Sequence, residues 1–382
     1  KGEATMSADD RLRQEAKNLI EQIKHLRVQG REVRESNDEE WPLFAARKGG
    51  APAPALLDNP KMRRVLKGHF GKVYAMHWGD RGSVTMQTKD FLVSASQDGK
   101  LIVWNAATMN KHNAIPLRSS WVMTCAFEPS KGELVACGGL DNLCSIYRIN
   151  PDAGVQSYGA PRHAFKELAA HDGYLSCCRF FDSGSKIVTS SGDSTCIMWD
   201  IQAQVSLQHY THHAGDVMSV SINPKNPNMF VSGSCDTTAA IWDIRSQEQK
   251  CIEQFYGHES DINSVHYCNN GIAFATGSDD STCRLFDTRC GQIGQYGNDT
   301  ILCGITSVSL SSSGRLLFAG YDDYACYAWD TLYEQPGDID EDGSKEVFTM
   351  STHDNRVSCL GINSTGEALC TGSWDTYLKV WA

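Results

Sequence analysis

The 382-residue sequence predicts an all-β protein, a seven-bladed β-propeller led by a coiled-coil α-helix. Three observations carry that expectation. An aspartate stands six residues ahead of an aromatic residue in seven places. The aspartates, at 98, 141, 193, 236, 280, 323 and 375, are spaced by 43, 52, 43, 44, 43 and 52 residues. Ahead of them, the chain instead repeats its apolar residues every seven positions.

Composition narrows the classes of function. Hydrophobic residues make up 41% and charged residues 21%, ordinary globular usage that excludes wholesale disorder. No apolar run approaches the roughly eighteen residues that cross a bilayer, and no signal segment opens the chain, so a soluble, cytoplasmic protein is expected. The formal net charge of -11 argues against nucleic acid as a partner. The 15 cysteines are odd in number, form no Cys-x-x-Cys pair and fall in apolar runs such as that around Cys177 and Cys178. Reduced, buried thiols fit that pattern better than a disulfide framework. The sequons at Asn298 and Asn363 are then expected to stay unmodified.

The repeat explains most of the chain. Four units pair Asp98 with Trp104, Asp193 with Trp199, Asp236 with Trp242 and Asp375 with Trp381. Asp323 pairs with Trp329, while Asp141 with Tyr147 and Asp280 with Phe286 use other aromatics. Between these marks the sequence alternates apolar and polar residues in short runs split by Gly, Asn, Asp and Pro, which reads as antiparallel strands. Four strands per unit and seven units make a propeller, and the period with its Trp-Asp signature matches WD40 repeats. Trp199-Asp200, Trp242-Asp243 and Trp329-Asp330 carry the dipeptide itself.

A histidine precedes the aromatic by 28 or 29 residues at His171, His213, His258 and His353. His69 precedes Trp104 by 35, which implies an insertion near residues 81–90. Ten residues before the aromatic stands a hydroxyl in five units, at Ser94, Thr189, Ser232, Thr276 and Thr371. In WD repeats these positions form a buried chain from Asp through His and hydroxyl to the indole N–H. Such a chain satisfies groups that are costly to bury alone. Units two and six lack the His and place Cys137 and Ala319 at the hydroxyl position, so packing should hold them. A Ser-His-Asp grouping also suggests a nucleophilic triad, but recurrence in unit after unit favours a structural role.

After Trp381 no fourth strand remains, whereas residues 61–67 alternate like a strand and belong to no unit of their own. They are expected to complete the last blade and so remove an open sheet edge. The expected division is residues 1–57 for helix and linker and 58–382 for the propeller. In the first part Leu12, Leu19, Leu26 and Val33 recur in sevens, with Ala16 and Ile23 between them, giving a coiled-coil seam. Ser7 with Asp9 and Asp10 is a plausible cap, and Gly30 weakens the seam. A seam of this length cannot bury itself and needs a partner helix or the propeller wall, and the strict heptad favours a partner helix. Residues 49–55, rich in Gly, Ala and Pro, read as a linker.

A coiled-coil helix before a propeller closed by its own N-terminal strand resembles the β subunit of heterotrimeric G proteins. The stretches 72–78, 94–100, 120–125, 137–142, 257–263 and 371–375 are similar to that family in wording as well as spacing. The resemblance implies a non-catalytic subunit that pairs with a γ subunit through Leu12, Ala16, Leu19, Ile23 and Leu26. It implies that the pair binds the GDP-bound α subunit, and effectors once α leaves. The matching surface positions are Lys72, Tyr74, Lys100, Trp121, Met123, Leu140, Asn142, Tyr174, Asp216, Met218, Asp261, Asp279 and Trp374. Large aromatics and Met ringed by charge suit that task. Trp374 occupies a turn where other units have Gln97, Leu140, Gly192, Cys235, Asp279 and Asp322, so blade geometry does not demand an indole. Phe70 and Asp172 depart from the residues usual in the family. Without a prenylation box or an N-terminal acylation site, membrane attachment would come only through lipidated γ and α, at the inner face of the plasma membrane.

Other chemistry fares worse. Residues 338–343 imitate the start of a calcium loop, but Thr349 stands where a bidentate Glu is required. His209, His212 and His213 lie in strand and loop, not on a helix face that would suit a metal. No phosphate-binding loop or dinucleotide glycine motif is present, so no cofactor is expected. The rival readings are another WD40 protein-interaction scaffold and, more remotely, an enzyme with groups converging in the central channel. The sequence reveals no non-repeating channel constellation for the latter.

Overall fold

The computed structural model describes residues 60–79, 91–149, 163–181, 184–246, 250–298, 300–331 and 346–382. The chain separates into a unit of residues 1–40 and 46–55 and a larger unit of 41–45 and 56–382, and every described residue belongs to the larger one. The heptad seam, the linker, the insertion near 81–90 and the acidic stretch 338–343 lie outside the described residues.

Among the described residues, twenty-eight strands form seven four-stranded antiparallel sheets. The innermost strands of blades one to seven are Val73–Trp78, Val122–Phe127, Leu175–Phe180, Val217–Ile222, Ile262–Tyr267, Ile305–Leu310 and Val357–Ile362. Each packs against the innermost strand of the next, and the seventh against the first, so the ring closes. Blade seven takes its outer strand from the start of the described chain. Met62–Leu66 pairs antiparallel with Leu378–Trp381, with Met62 opposite Trp381, a shift of register at Arg63, and Arg64, Val65 and Leu66 opposite Val380, Lys379 and Leu378. Residues 166–168 and 346–350, near the two long spacings, are the outer strands of blades two and six.

The core lies between blades, not within them. Seven apolar clusters each join two neighbours, as Val93 and Leu101 of blade one join Cys125 and Val135 of blade two. A second strand is therefore covered on both faces. That is why Phe91–Ser96 and Ala273–Ser278 are buried throughout and built from small and apolar residues.

The aspartate of each unit shapes the turn between its second and third strands. Its carboxylate accepts the backbone N–H two residues on, from Lys100, Leu143, Thr195, Thr238, Thr282, Ala325 and Tyr377, at 2.9 to 3.4 Å. The intervening residue is left-handed in all seven blades, with φ between 61° and 75° at Gly99, Asn142, Ser194, Thr237, Ser281, Tyr324 and Thr376. Six of these are not glycine, so the carboxylate bond holds a conformation that side chains disfavour.

In five blades the same carboxylate also binds the histidine: His69 with Asp98 at 3.2 Å, His171 with Asp193 at 2.7 Å, His213 with Asp236 at 2.8 Å, His258 with Asp280 at 2.7 Å and His353 with Asp375 at 2.7 Å. A carboxylate only accepts and an indole only donates, which fixes the direction of the chain. Trp104, Trp199, Trp242 and Trp381 donate to the hydroxyls of Ser94, Thr189, Ser232 and Thr371 at 2.8 to 3.0 Å. Those hydroxyls donate to histidine Nε2, and Nδ1–H donates to the aspartate. In blade five the chain runs from Thr276 to His258 and stops, because Phe286 has no N–H to satisfy. Burial opposes the charge on Asp236 and Asp280, but the bonds from His213 with Thr238 and from His258 with Thr282 outweigh it and hold both well below the carboxylate range.

Blade six solves the problem differently. Tyr327 takes the place of the missing histidine and donates its hydroxyl to Asp323 at 2.7 Å, with its ring stacked on Trp329. At Ala319 no hydroxyl is present, and the buried Trp329 indole N–H has no partner.

Innermost strands cannot pair with one another across the channel, so side chains stitch them. The third residue accepts the next blade's fourth N–H at Thr124, Ser219 and Ser264. The fifth accepts the next blade's sixth N–H at His77, Ser221 and His266. Burial, reinforced by the Arg179 and His266 charges, pushes His77 down to about 3, and burial with Arg179 pushes His266 down to about 4.

Two outcomes follow from these bonds. Ala319→Ser supplies the missing acceptor to Trp329 and should raise stability by about 1 kcal/mol, read as a higher Tm; an unchanged or lower Tm contradicts the account of blade six. The channel histidines stay neutral when folded but titrate near 6.5 when unfolded. Their contribution is complete above that pH and is lost as the pH falls, because only the unfolded chain takes up the protons. Each adds a slope of about 1.4 kcal/mol per pH unit. His266→Ser keeps an acceptor for Leu310 N–H, and urea unfolding at stepped pH should show one such slope removed between pH 6.5 and 4. An unaltered slope would refute this.

Candidate functional site

One end of the propeller gathers the start of every innermost strand and every second-to-third-strand turn, because the first two strands of each blade are antiparallel. A repeated backbone bond fixes their approach. The turn N–H of Gln97, Leu140, Gly192, Cys235, Asp279, Asp322 and Trp374 donates to the carbonyl of Lys72, Trp121, Tyr174, Asp216, Asp261, Gly304 and Arg356 respectively, at 2.9 to 3.2 Å. All thirteen surface residues singled out by the sequence fall on this end. Lys72, Trp121, Tyr174, Asp216 and Asp261 stand just before innermost strands. Tyr74, Met123 and Met218 are second in theirs, while Leu140, Asn142, Asp279, Trp374 and Lys100 belong to the turns or follow them.

The second position is a β-bulge in all seven blades. A bulge re-aims its side chain. In four blades that side chain is polar and ties the blade to its neighbour: Ser176 to the Val217 carbonyl, Asn263 to Ile305, Thr306 to Val357 and Ser358 to Val73. Tyr74, Met123 and Met218 break this rule. Three bulges thus carry large side chains on the face in place of a structural bond.

Aromatic and basic side chains gather with Tyr74 around blades seven, one and two. The Tyr74 ring lies 6.3 Å from Trp121 and 5.7 Å from Trp374, edge to face with the latter. Lys72 Nζ sits 3.9 Å over the Trp374 ring and the Arg356 guanidinium 4.5 Å from it. Lys100 Nζ stands 5.3 Å over Phe70, which is 83% exposed. Trp121 and Leu140 are 45% and 52% exposed. The Trp374 indole N–H is buried without an acceptor. Burial raises the Tyr74 phenol despite the nearby Arg356, so its hydroxyl remains a neutral donor.

The opposite side of the face is acidic. Asp172, Asp216, Asp261, Asp279 and Asp322 come from blades three to six. Tyr174 donates to Asp216 at 2.8 Å and touches the Met218 sulfur, and a Cβ on Gly192 would strike its ring. Asn142 Nδ2 donates to the Asp172 carbonyl at 3.2 Å, and Asn263 to Asp279 at 2.6 Å. Burial and Asp261 push the Cys235 thiol up to about 12, which removes it as a nucleophile. Asp322, raised by burial, is partly restored by Arg356 at 2.6 Å. The face therefore presents a basic, aromatic sector beside an acidic one, suited to a large complementary protein surface.

Arg356, Asn263 and Asp322 belong to the face and were absent from the sequence expectation. Arg356 was within reach of it, since it lies three residues after His353 as Lys72 lies after His69 and Tyr174 after His171. Asn263 and Asp322 are recognisable only once the bulge and the ion pair are seen. The channel also holds His77, Arg179 and His266, a non-repeating polar group that sequence reasoning missed. Among the described residues that line it, His77 and His266 accept backbone N–H groups, and neither is bonded to a hydroxyl or thiol. Among the described residues no group of His, Cys, Asp and Glu has the arrangement of a metal site.

The comparisons with known proteins agree with this architecture. Residues 6–382 match the family model described as "G protein beta WD-40 repeat protein". A guanine nucleotide-binding protein subunit beta of Zea mays is 43% identical over 377 residues, covering 94% of this chain and 93% of the relative. Proteins of the same name from Oryza sativa subsp. japonica and Arabidopsis thaliana are each 46% identical, over 84% of this chain and 82% of their own length. With the family model matched along nearly the whole sequence, the chain belongs to the G protein β WD-40 repeat family.

Proposed function

We propose that this chain is the β subunit of a heterotrimeric G protein and works by binding, not by catalysis. Its heptads, Leu12, Ala16, Leu19, Ile23 and Leu26, pair with a γ subunit. The turn face then grips a GDP-bound α subunit, and effectors take the same face when α leaves. Tyr74, Trp121 and Trp374 act as the aromatic anchors, with Lys72, Lys100 and Arg356 around them, and Met123 and Met218 adapt to different partners. Leu140, Asn142, Tyr174, Asp216, Asp261 and Asp279 complete the footprint and set its register by charge. The protein works in the cytoplasm at the inner face of the plasma membrane, held there through lipids on γ and α.

The observation that supports this reading is the aromatic cluster itself. Three indole and phenol rings stand together where the repeat requires none of them, and one carries an unpaired N–H. The test is binding of the chain, co-produced with a γ subunit, to an α subunit loaded with GDP or with a non-hydrolysable GTP analogue. Tighter binding to the GDP form, by about tenfold or more, is expected from a face that discriminates switch conformations. Equal or absent binding in both nucleotide states would move the function to another WD40 interaction scaffold.

A further inference from the structure

The space enclosed by the seven innermost strands, about 900 Å³, contains a charged girdle that the turn face does not explain. The fifth residue of each innermost strand occupies an equivalent position around it. In blade order these residues are His77, Ala126, Arg179, Ser221, His266, Ser309 and Gly361. Four are small, so the blade geometry demands neither the guanidinium nor the imidazoles. The three long ones come from blades one, three and five, on different sides of the channel.

Arg179 Nη1 donates to the carbonyls of Cys178 at 2.6 Å and Cys125 at 3.5 Å, which anchors the guanidinium and leaves its other donors over. Among the described residues no carboxylate is ion-paired with it. The carboxylates that line the channel, Asp279 and Asp322, belong to the turn-face end, roughly 13 Å away along the strand. Both are engaged there, by Asn263 and Arg356. His77 and His266 each accept a backbone N–H at Nδ1, from Phe127 and Leu310. A neutral ring accepting at Nδ1 carries its proton on Nε2, so each ring offers one further donor. The channel therefore has a fixed positive charge and two imidazole donors and, among the described residues, no nearby anion to balance them.

We propose that this girdle is a binding site for a tetrahedral oxyanion of the phosphate class, either inorganic phosphate or the phosphate of a small monoester. Arg179 would take one or two oxygens in its planar fork, and His77 and His266 would each donate to another. Donors arriving from three directions suit a tetrahedral ion better than a flat carboxylate.

The test is calorimetric titration of the full chain with inorganic phosphate, at ionic strength held constant with sodium chloride, and a parallel titration with glucose 6-phosphate. Saturable binding of one equivalent is expected, and the tighter of the two ligands identifies the source. Arg179→Ser should weaken it by about tenfold or more, since it removes a charged donor. His266→Ser, which copies the residue of blades four and six and keeps an acceptor for Leu310 N–H, should weaken it severalfold with little effect on folding. Absence of saturable binding of either ligand, or unchanged affinity in these variants, would overturn the proposal. If Arg179→Ser does not fold, unchanged affinity in His266→Ser alone does so.

Discussion

Much of this structure depends on a carboxylate at one turn, repeated seven times. Each aspartate holds the next residue in a left-handed conformation through the N–H two residues on. In five blades it also takes the histidine Nδ1–H and the backbone N–H that follows the histidine, as Asp236 does with His213 and Ala214. One side chain thus joins the turn to the segment leading into the innermost strand. Through the hydroxyl and the indole, it reaches the third strand as well. Because both turn and entry segment are fixed, the residues they carry are presented as a preorganised surface, which limits the entropy lost on binding.

A second constraint arises at the channel, where innermost strands expose one edge. Hydroxyls, an amide and two histidines stitch blade to blade there, and the stitching leaves few positions free. The face occupies the exceptions. Tyr74, Met123 and Met218 stand at bulges that in other blades hold a stitching side chain, and Trp374 stands at a turn that accepts almost any residue. Blades one, two and four give up one inter-blade bond each to carry them. The apolar layers on both sides of every blade, such as that between Phe230 and Tyr210, supply the stability that makes this loss tolerable.

The propeller was legible because its period is written in residues with strong local demands. An Asp at the turn and an aromatic residue six positions on recur in every unit, while the residue after the Asp varies from Gly99 and Asn142 to Ser194, Thr237, Ser281, Tyr324 and Thr376. The strand from residues 62–66 was legible because blade seven lacked a partner for Trp381. Compensation within a blade was less so. Tyr327, on a third strand, replaces a histidine that in other blades stands in the segment before the innermost strand, so no spacing rule connects the two, and its role emerges only when its hydroxyl is seen on Asp323. The face was readable where units could be compared at one position, as with Trp374. It was not readable where the signal is a contact across blades, as between Asn263 and the Ile305 carbonyl or Arg356 and Asp322. The channel girdle escaped for the same reason, since His77, Arg179 and His266 lie far apart in sequence and only the register of the innermost strands brings them into one ring.

Blade bonds build the face, and the residues free of those bonds are the ones proposed to do the binding. The most direct measurement is a comparison of Trp374→Ala with Ser232→Ala for both Tm and affinity toward GDP-loaded α subunit. Trp374→Ala should cost about 2 kcal/mol or more of binding while leaving Tm nearly unchanged. Ser232→Ala, which orphans the Trp242 indole and His213, should lower stability by about 1–3 kcal/mol and leave affinity intact at temperatures where the protein is folded. If the two variants instead lose binding and stability in parallel, the separation of scaffold from face is wrong.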